Sequence, residues 1–170
     1  PIKKNGDLRV SLDPRPLNFV FKREHYKLPT CEEVMAQFSN AKYFSKMDAS
    51  KGFWQLKLDE ESSKLTCFST PFGRKRFLRL PFGVKSAPEI YHKAVHQLFE
   101  HISGVDTSMD DIIVYGQTLK EHNDRLQKVL KIVKKSNLKL NKEKCVFGVK
   151  EMTILGDVIS ENGLKPDLLM

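Results

Sequence analysis

Three aspartates are placed where they could bind divalent metal ions together. Asp110 and Asp111 interrupt the apolar, strand-forming segment Val105–Tyr115, which predicts a β-hairpin with an acidic turn. Asp48 follows a third strand-like segment, Tyr43–Met47. Mg²⁺ prefers oxygen ligands, and two such ions about 3.5–4 Å apart hold the attacking and leaving oxygens of phosphoryl transfer. The pattern predicts a metal site for phosphoryl or nucleotidyl transfer, although aspartate is also a common turn residue.

The charge of the chain favours a polyanionic partner. Its 170 residues, enough for one domain, include 29 Lys and Arg against 21 Asp and Glu, a net charge of +8. Residues 1–30 carry seven basic residues against three acidic ones, and residues 74–85 carry only basic ones. The basic residues of the second segment are Arg74, Lys75, Arg76, Arg79 and Lys85. Both segments could bind a phosphate backbone, and a solvated basic surface is the alternative.

The cysteine spacing and the hydropathy of the chain argue against disulfide-rich, zinc-binding, membrane-spanning and secreted proteins. Cys31, Cys67 and Cys145 are odd in number and widely spaced, which indicates neither a disulfide framework nor a structural zinc site. No apolar stretch approaches the roughly 20 residues that span a bilayer, and no signal peptide opens the chain. We expect an intracellular protein that is not secreted. The chain begins at Pro1 with patterned sequence, as expected of a segment of a longer protein.

Hydrophobic periodicity predicts an α+β fold, with helices on one face of a largely antiparallel sheet. The predicted helices are 31–37, a helix that starts at Ser86, and 120–135, whose inward residues are Leu126, Val129, Leu130 and Val133. The predicted strands are a basic hairpin at 2–12, then 43–47, 55–58, 64–70, 76–80, the acidic hairpin, 146–147 and 153–160.

These segments resemble the fingers and palm of a reverse transcriptase, most closely the gypsy-type elements among long-terminal-repeat retrotransposons. The resemblance covers essentially all 170 residues in the family's order. Phe44–Gln55 resembles the first catalytic segment and Met109–Asp111 the second. Leu80–Gly83, followed by Ala87-Pro88, resembles the nucleotide-site loop. Two shorter matches are Leu17-Asn18 after the basic fingers and Leu155-Gly156 at the primer-grip hairpin.

The resemblance implies a right-hand polymerase palm, an antiparallel sheet backed by helices, with a basic, β-rich fingers subdomain. The fingers would comprise residues 1–47 and 64–88, and the palm residues 48–63 and 89–170. The thumb, connection and ribonuclease H regions of the family have no counterpart in this chain.

The implied function is that of an RNA-directed DNA polymerase, a fragment of a retrotransposon Pol polyprotein. It would transfer deoxynucleotides onto a primer 3′-hydroxyl with two Mg²⁺ ions, or with Mn²⁺ instead. Its partners would be an RNA or DNA template with primer, deoxynucleoside triphosphates (dNTPs) and the remainder of the polyprotein, but no membrane. It would act in the cytoplasm, in a retroelement particle, or in the nucleus.

The resemblance also implies roles for individual residues. The catalytic and metal-binding residues would be Asp48, Asp110 and Asp111. Asp48 and Asp110 would be the principal metal ligands and Asp111 a supporting one, with the backbone carbonyl of Ala49 as a further ligand. The nucleotide-binding residues would be Lys3, Lys4, Arg9, Phe53, Phe82 and Gly83. The residues in contact with template or primer would be Arg15, Leu155 and Gly156. The Phe53 ring would lie under the sugar and exclude a ribose 2′-hydroxyl.

Two residues depart from the family pattern, and three other functions remain open. Ser108 replaces a common tyrosine, and Pro14 replaces a common aromatic residue. A catalytically silent or domesticated remnant would still bind nucleic acid. An RNA-templated RNA polymerase would usually carry an acidic residue where this chain has Phe53. A protein-binding module would show no salt-dependent affinity for a primer–template duplex.

Overall fold

Every strand pair in the described part of the chain is antiparallel. The structure is a computed structural model that describes residues 11–22, 26, 33, 37–38, 40–108, 111–154, 157–161 and 163–166. The helices are α1 (Arg15–Val20), α2 (Glu60–Leu65), α3 (Ala87–Phe99) and α4 (Leu119–Lys135). The strands are β1 (Tyr43–Asp48), β2 (Phe68–Thr70), β3 (Gly73–Lys75), β4 (Val105–Ser108), β5 (Asp111–Gly116), β6 (Val146–Val149), β7 (Glu151–Ile154), β8 (Asp157–Ser160) and β9 (Gly163–Pro166).

The chain divides into two compact units. The first unit comprises Pro1–Tyr26 with Lys51–Tyr91, and the second comprises Lys27–Ser50 with His92–Met170. These bounds differ from those of the predicted fingers and palm. For example, β1 lies in the second unit because it pairs along its whole length with β5. The assignment of fingers and palm to residue ranges stays a prediction.

The second unit is built on a four-stranded sheet in the order β4-β5-β1-β6. The centre of β5 is fully buried, as expected of β-branched residues in an inner strand: Ile112, Ile113 and Val114. β1 and β5 pair from Tyr43 opposite Gly116 to Asp48 opposite Asp111. Because the strands run in opposite directions, the end of β1 meets the beginning of β5.

Both faces of this sheet are covered. On one face, Phe44 and Ile113 pack with Met152 and Ile154 of β7 and with Ile159 of β8. β7, β8 and β9 form a second antiparallel sheet.

The other face is covered by α4. Ser45 of β1 lies 2.8 Å from the Nε2 atom of His122 in a buried hydrogen bond. The Thr118 hydroxyl accepts a hydrogen bond from the Glu121 N–H and so caps the helix. The predicted inward face is correct for the buried residues Val129 and Val133 but wrong for Leu130, which is 41% exposed.

The first unit differs most from the sequence prediction. The predicted strand at 55–58 is reduced to one bridge, Lys57 opposite Arg79, after a 3₁₀ turn at Gly52–Gln55. Of the predicted strand at 64–70, residues 64–65 end α2 and residues 68–70 form β2. Asp59 caps α2 by accepting a hydrogen bond from the Ser62 N–H. β2 pairs with β3 at residues 73–75, which precede the predicted strand at 76–80.

Two predicted elements lie wholly or mostly outside the described residues. The basic hairpin at 2–12 is one, and the helix at 31–37 is the other, of which only Glu33 and Gln37 are described, both helical. Among the helices that the described residues form, none has both the length and the apolar character required to cross a bilayer.

Candidate active site

Asp48 and Asp111 lie directly opposite each other at one end of the four-stranded sheet. The strand register pairs them, and it pairs Ser108 of β4 with Asp111 as well. Directly opposed residues on antiparallel strands share a face, with Cβ atoms about 4.5–5.5 Å apart. Two negative charges in this position are destabilising by themselves. The pairing therefore favours a cation between the two carboxylates.

A lysine already supplies a positive charge to Asp48. The Lys144 Nζ atom lies 3.2 Å from the Asp48 Oδ2 atom, and the two side chains are 64% and 17% exposed. Lys144 belongs to a 3₁₀ turn, Lys142–Lys144, whose first N–H groups are capped by the Asn141 side chain. The Asn141 N–H also donates a 2.8 Å hydrogen bond to the Asp48 carbonyl. This local anchoring holds the ammonium group at the carboxylate.

The backbone pairing around Ala49 sets the direction of its carbonyl group. Ala49 pairs with Leu140 in an isolated antiparallel bridge. Both hydrogen bonds of that bridge involve the neighbours Asp48 and Ser50, with lengths of 2.8 and 2.9 Å to the segment 139–141. In such a pair the N–H and C=O of the central residue point away from the partner strand. The Ala49 carbonyl is thus directed away from residue 140.

These features fit a divalent metal ion. The donor set consists of carboxylate and carbonyl oxygens, which suit Mg²⁺ and Mn²⁺. The described residues contain no group of three or more His, Cys, Asp or Glu side chains that could hold a metal. Asp110, the third predicted carboxylate, lies outside those residues, as do five other predicted site residues: Lys3, Lys4, Arg9, Leu155 and Gly156.

In the first unit, an aromatic cluster holds the predicted gate residue. Phe53 lies in the 3₁₀ turn, and its ring centroid is 4.9 Å from that of Phe82 and 5.6 Å from that of Tyr91. Trp54 also contacts Phe82, at 6.3 Å between centroids. Aromatic pairs at these distances stabilise each other beyond their burial. The structure thus brings together Phe53 and Phe82, two of the predicted nucleotide-binding residues.

The loop after Phe82 is clamped by residues from the beginning of the chain. The Leu12 N–H donates a hydrogen bond of 2.8 Å to the Phe82 carbonyl. The Asn18 side chain donates to the Gly83 carbonyl at 2.9 Å and accepts from the Lys85 N–H at 2.8 Å. From the sequence, Asn18 stands out only as part of the Leu17-Asn18 motif, which does not predict these hydrogen bonds. The signal that could have identified them is the side-chain amide, which can both donate and accept a hydrogen bond.

Glycine is required at position 83. Its φ angle is +106°, in the region that side chains rarely adopt. A Cβ atom there would also collide with the backbone carbonyl of Leu12. Any larger residue would disturb the clamped loop.

The contacts of two further charged residues, Arg15 and Asp106, are described by the structure. The Arg15 guanidinium, predicted to contact the template, forms an exposed ion pair of 2.9 Å with Asp13. Asp106, which sequence reasoning did not single out, is buried in β4, and its Oδ2 atom has no hydrogen-bond partner among the described residues. Burial raises the pKa of Asp106, while the Thr107 N–H and His96 act in the opposite direction.

Comparisons with known proteins identify the family. A family profile described as "Reverse transcriptase (RNA-dependent DNA polymerase)" matches residues 2–159. The chain belongs to the reverse transcriptase family. The predicted resemblance is confirmed, and so is the predicted α+β fold.

Related reverse transcriptase sequences come from retrotransposons of Drosophila melanogaster. The chain is 34% identical to the Retrovirus-related Pol polyprotein from transposon 297 and 38% to that from transposon 412, in each case over 94% of this chain. It is 29% identical to that from transposon gypsy, over 96% of this chain. The chain spans only 15%, 13% and 16% of these relatives.

Solved structures of similar reverse transcriptases come from foamy virus. The protease-reverse transcriptase in complex with double-stranded DNA matches 98% of this chain with a TM-score of 0.89 and 27% identity. The same type of protein in complex with an RNA/DNA hybrid matches 91% of this chain with a TM-score of 0.80. This chain covers 29% and 21% of those two chains.

Proposed function

We propose that this chain carries the RNA-directed DNA polymerase site of a retrotransposon Pol polyprotein. The observation that carries the proposal is the direct opposition of Asp48 and Asp111 at one end of an antiparallel sheet. Two like charges in that position need a cation, and nucleotidyl transfer needs that cation next to phosphate oxygens. Membership of the reverse transcriptase family supports the same conclusion.

Each residue of the metal site has a separate task. Asp48 and Asp111, together with Asp110, would hold the ions through carboxylate oxygens, and Ala49 would offer its backbone carbonyl. When bound, Mg²⁺ stabilises the negative charge that develops on the phosphate oxygens, and Mn²⁺ would do the same. Lys144, whose side chain is 64% exposed, would have to release the Asp48 carboxylate before Asp48 could hold an ion.

The nucleotide site selects deoxynucleotides through Phe53. Packing against Phe82 and Tyr91 restricts the Phe53 ring, so the ring cannot yield easily to a ribose 2′-hydroxyl. Phe82 and Gly83 line the nucleotide site from a clamped loop. The cations Lys3, Lys4 and Arg9 neutralise the triphosphate of the incoming dNTP.

The partners follow from the proposed reaction. The substrate is a primer paired with an RNA or DNA template, in contact with Arg15 and with the primer grip at Leu155-Gly156. The similar foamy virus proteins form complexes with double-stranded DNA and with an RNA/DNA hybrid. We infer that this chain functions inside a cell as the fingers and palm of a longer Pol polyprotein.

Extension of a labelled DNA primer on an RNA template tests the proposal. We expect Mg²⁺-dependent extension by the unchanged chain and a loss of about 10³-fold or more for Asp48→Asn, because metal ions supply several kcal/mol to such reactions. Asp124→Asn, which neutralises an exposed aspartate of α4, is the matched control and should extend normally. Equal extension by the unchanged chain, Asp48→Asn and Asp124→Asn would refute the assignment of Asp48 to the metal site. Binding of the duplex without extension would indicate the silent remnant.

The same assay with ribonucleotides tests the gate. Phe53→Ala removes the ring, and the preference for deoxynucleotides should fall about 10–100-fold because a steric contact is lost. Phe19→Ala, which removes an exposed ring outside this cluster, should leave the preference unchanged. A Phe53→Ala protein that still rejects ribonucleotides would overturn the assignment of Phe53.

A further inference from the structure

The β2–β3 hairpin of the first unit has a tightly fixed turn. β2 and β3 pair from Phe68 opposite Lys75 to Thr70 opposite Gly73. The Thr70 hydroxyl donates a 2.6 Å hydrogen bond to the Gly73 carbonyl and accepts one of 3.2 Å from the Phe72 N–H. The turn residues Pro71 and Phe72 are therefore presented in a defined conformation.

This hairpin buries little of itself. All three residues of β3 are exposed, as are Phe68 and Ser69 of β2. Phe72, at the turn, is 89% exposed. A two-stranded ribbon is only marginally stable in water without a covering layer, and a large aromatic ring at its tip adds nothing to the core. The exposed Phe72 ring is therefore available for contact with another molecule.

The charge of the hairpin identifies the kind of molecule. Arg74, Lys75 and Arg76 follow Phe72 directly, and residues 68–85 contain no acidic residue. Within the described ranges, none of these three cations forms an ion pair. Arg79, in contrast, donates a 2.9 Å hydrogen bond to the Gln55 carbonyl and is used within the fold. These three cations beside an exposed ring complement a nucleic acid, which carries both phosphates and bases.

We propose that the β2–β3 hairpin docks a single-stranded segment of nucleic acid, the unpaired part of the template. Arg74, Lys75 and Arg76 contact its phosphates, and the Phe72 ring stacks on an unpaired base. An unpaired base offers a free face to an aromatic ring, whereas a base inside a duplex is already stacked on its neighbours. The proposal rests on the polymerase function proposed above, which supplies a template.

Fluorescence anisotropy with a labelled primer–template tests the charges. One substrate carries a 5′ unpaired template extension, and the other is a blunt duplex. The triple variant Arg74→Gln/Lys75→Gln/Arg76→Gln should bind the extended substrate at least about tenfold more weakly, with the slope of log affinity against log salt reduced by about 2. The control Lys128→Gln/Lys131→Gln/Lys135→Gln removes the same charge from the exposed face of α4 and should bind almost normally.

A single substitution tests the ring. Phe72→Ala should weaken binding of the extended substrate about tenfold, because one stacked base is lost, and Phe72→Trp should restore it. Phe19→Ala removes a ring of α1 that is 91% exposed and serves as the control. Circular dichroism and urea unfolding check that all variants fold.

The outcomes separate this inference from the function on which it rests. An unchanged chain that binds neither substrate contradicts the polymerase function itself. Normal binding and primer extension by the unchanged chain, with hairpin variants equal to their controls, overturn only the docking role. A loss that is equally large on the blunt duplex also overturns it, since the hairpin would then bind duplex. A loss confined to the extended substrate supports the proposal.

Discussion

Two hairpins of this chain, one acidic and one basic, differ in how the fold supports them. The β4–β5 hairpin lies inside a four-stranded sheet, and its residues Ile112, Ile113 and Val114 are fully buried. Among the described residues, β2 and β3 form a separate two-stranded sheet, and most of their residues are exposed. The first brings Asp111 opposite Asp48, and the second presents Arg74 and Lys75 to solvent.

The difference matches the two kinds of ligand proposed. A divalent metal ion needs ligand oxygens at fixed distances, and strands that are buried on both faces fix them. A single strand of nucleic acid is flexible, and its phosphates need only positive charge within reach. We therefore expect the strands of the acidic hairpin to be buried, whereas the basic hairpin can bind its ligand while its strands are exposed.

The largest expected effect is on stability. Ile113→Ala leaves a cavity in the core beside Phe44 and should lower the free energy of unfolding by about 2–5 kcal/mol. Phe72→Ala, at the tip of the basic hairpin, should change that free energy by less than about 0.5 kcal/mol. Urea unfolding measures both. Similar losses for the two variants would remove the contrast between the hairpins.

A moderate effect is expected on the pH dependence of stability, through the buried carboxyl group of Asp106 in β4. The raised pKa of Asp106 means that the folded protein keeps this proton at pH values where the unfolded chain has lost it. The contribution of Asp106 to stability therefore falls as the pH rises from about 3.8 toward the folded-state pKa. Asp106→Asn removes the charge, so its stability relative to the unchanged chain should increase over that range.

Urea unfolding at several pH values between 4 and 8 checks this expectation. The control is Asp124→Asn in α4, which is exposed and should show no such trend. A stability difference between Asp106→Asn and the unchanged chain that stays constant with pH would show that the burial of Asp106 has no electrostatic consequence.

The smallest effect sharpens the account of the acidic site. Lys144 competes with a divalent cation for the Asp48 carboxylate, and exposed ion pairs contribute up to about 1 kcal/mol. Lys144→Gln should therefore bind Mn²⁺ up to about fivefold more tightly, as measured by electron paramagnetic resonance. Lys142→Gln, in the same 3₁₀ turn, is the control. Weaker binding by Lys144→Gln would mean that the lysine supports the metal.

The sequence predicted the acidic hairpin well because its signals agree. Strand-forming residues, several of them β-branched, stand on both sides of Asp110 and Asp111, and another strand-like segment precedes Asp48. The register that pairs Asp48 with Asp111 was beyond prediction, since it depends on how distant strands align. The contact of Lys144 with Asp48 also joins residues far apart in sequence, and no local pattern signals it.

The first unit was predicted less well because its local signals conflict. Alternation of apolar residues predicted a strand at 64–70, while Asp59 and the acidic residues after it favoured a helix start, which the structure has. The aromatic cluster of Phe53 and Phe82 depends on contacts across 29 positions of sequence (82 − 53 = 29). The family resemblance implied nucleotide-binding roles for Phe53 and Phe82, but no local sequence pattern predicts that their rings are in contact.

Mn²⁺ binding to the acidic site tests the central claim most directly. Electron paramagnetic resonance should detect binding to the unchanged chain and to Asp124→Asn, and a loss of at least about tenfold in affinity for Asp111→Asn, because one of two opposed carboxylates is removed. Equal affinity in all three proteins would contradict the claim that Asp48 and Asp111 are paired in order to share a metal ion.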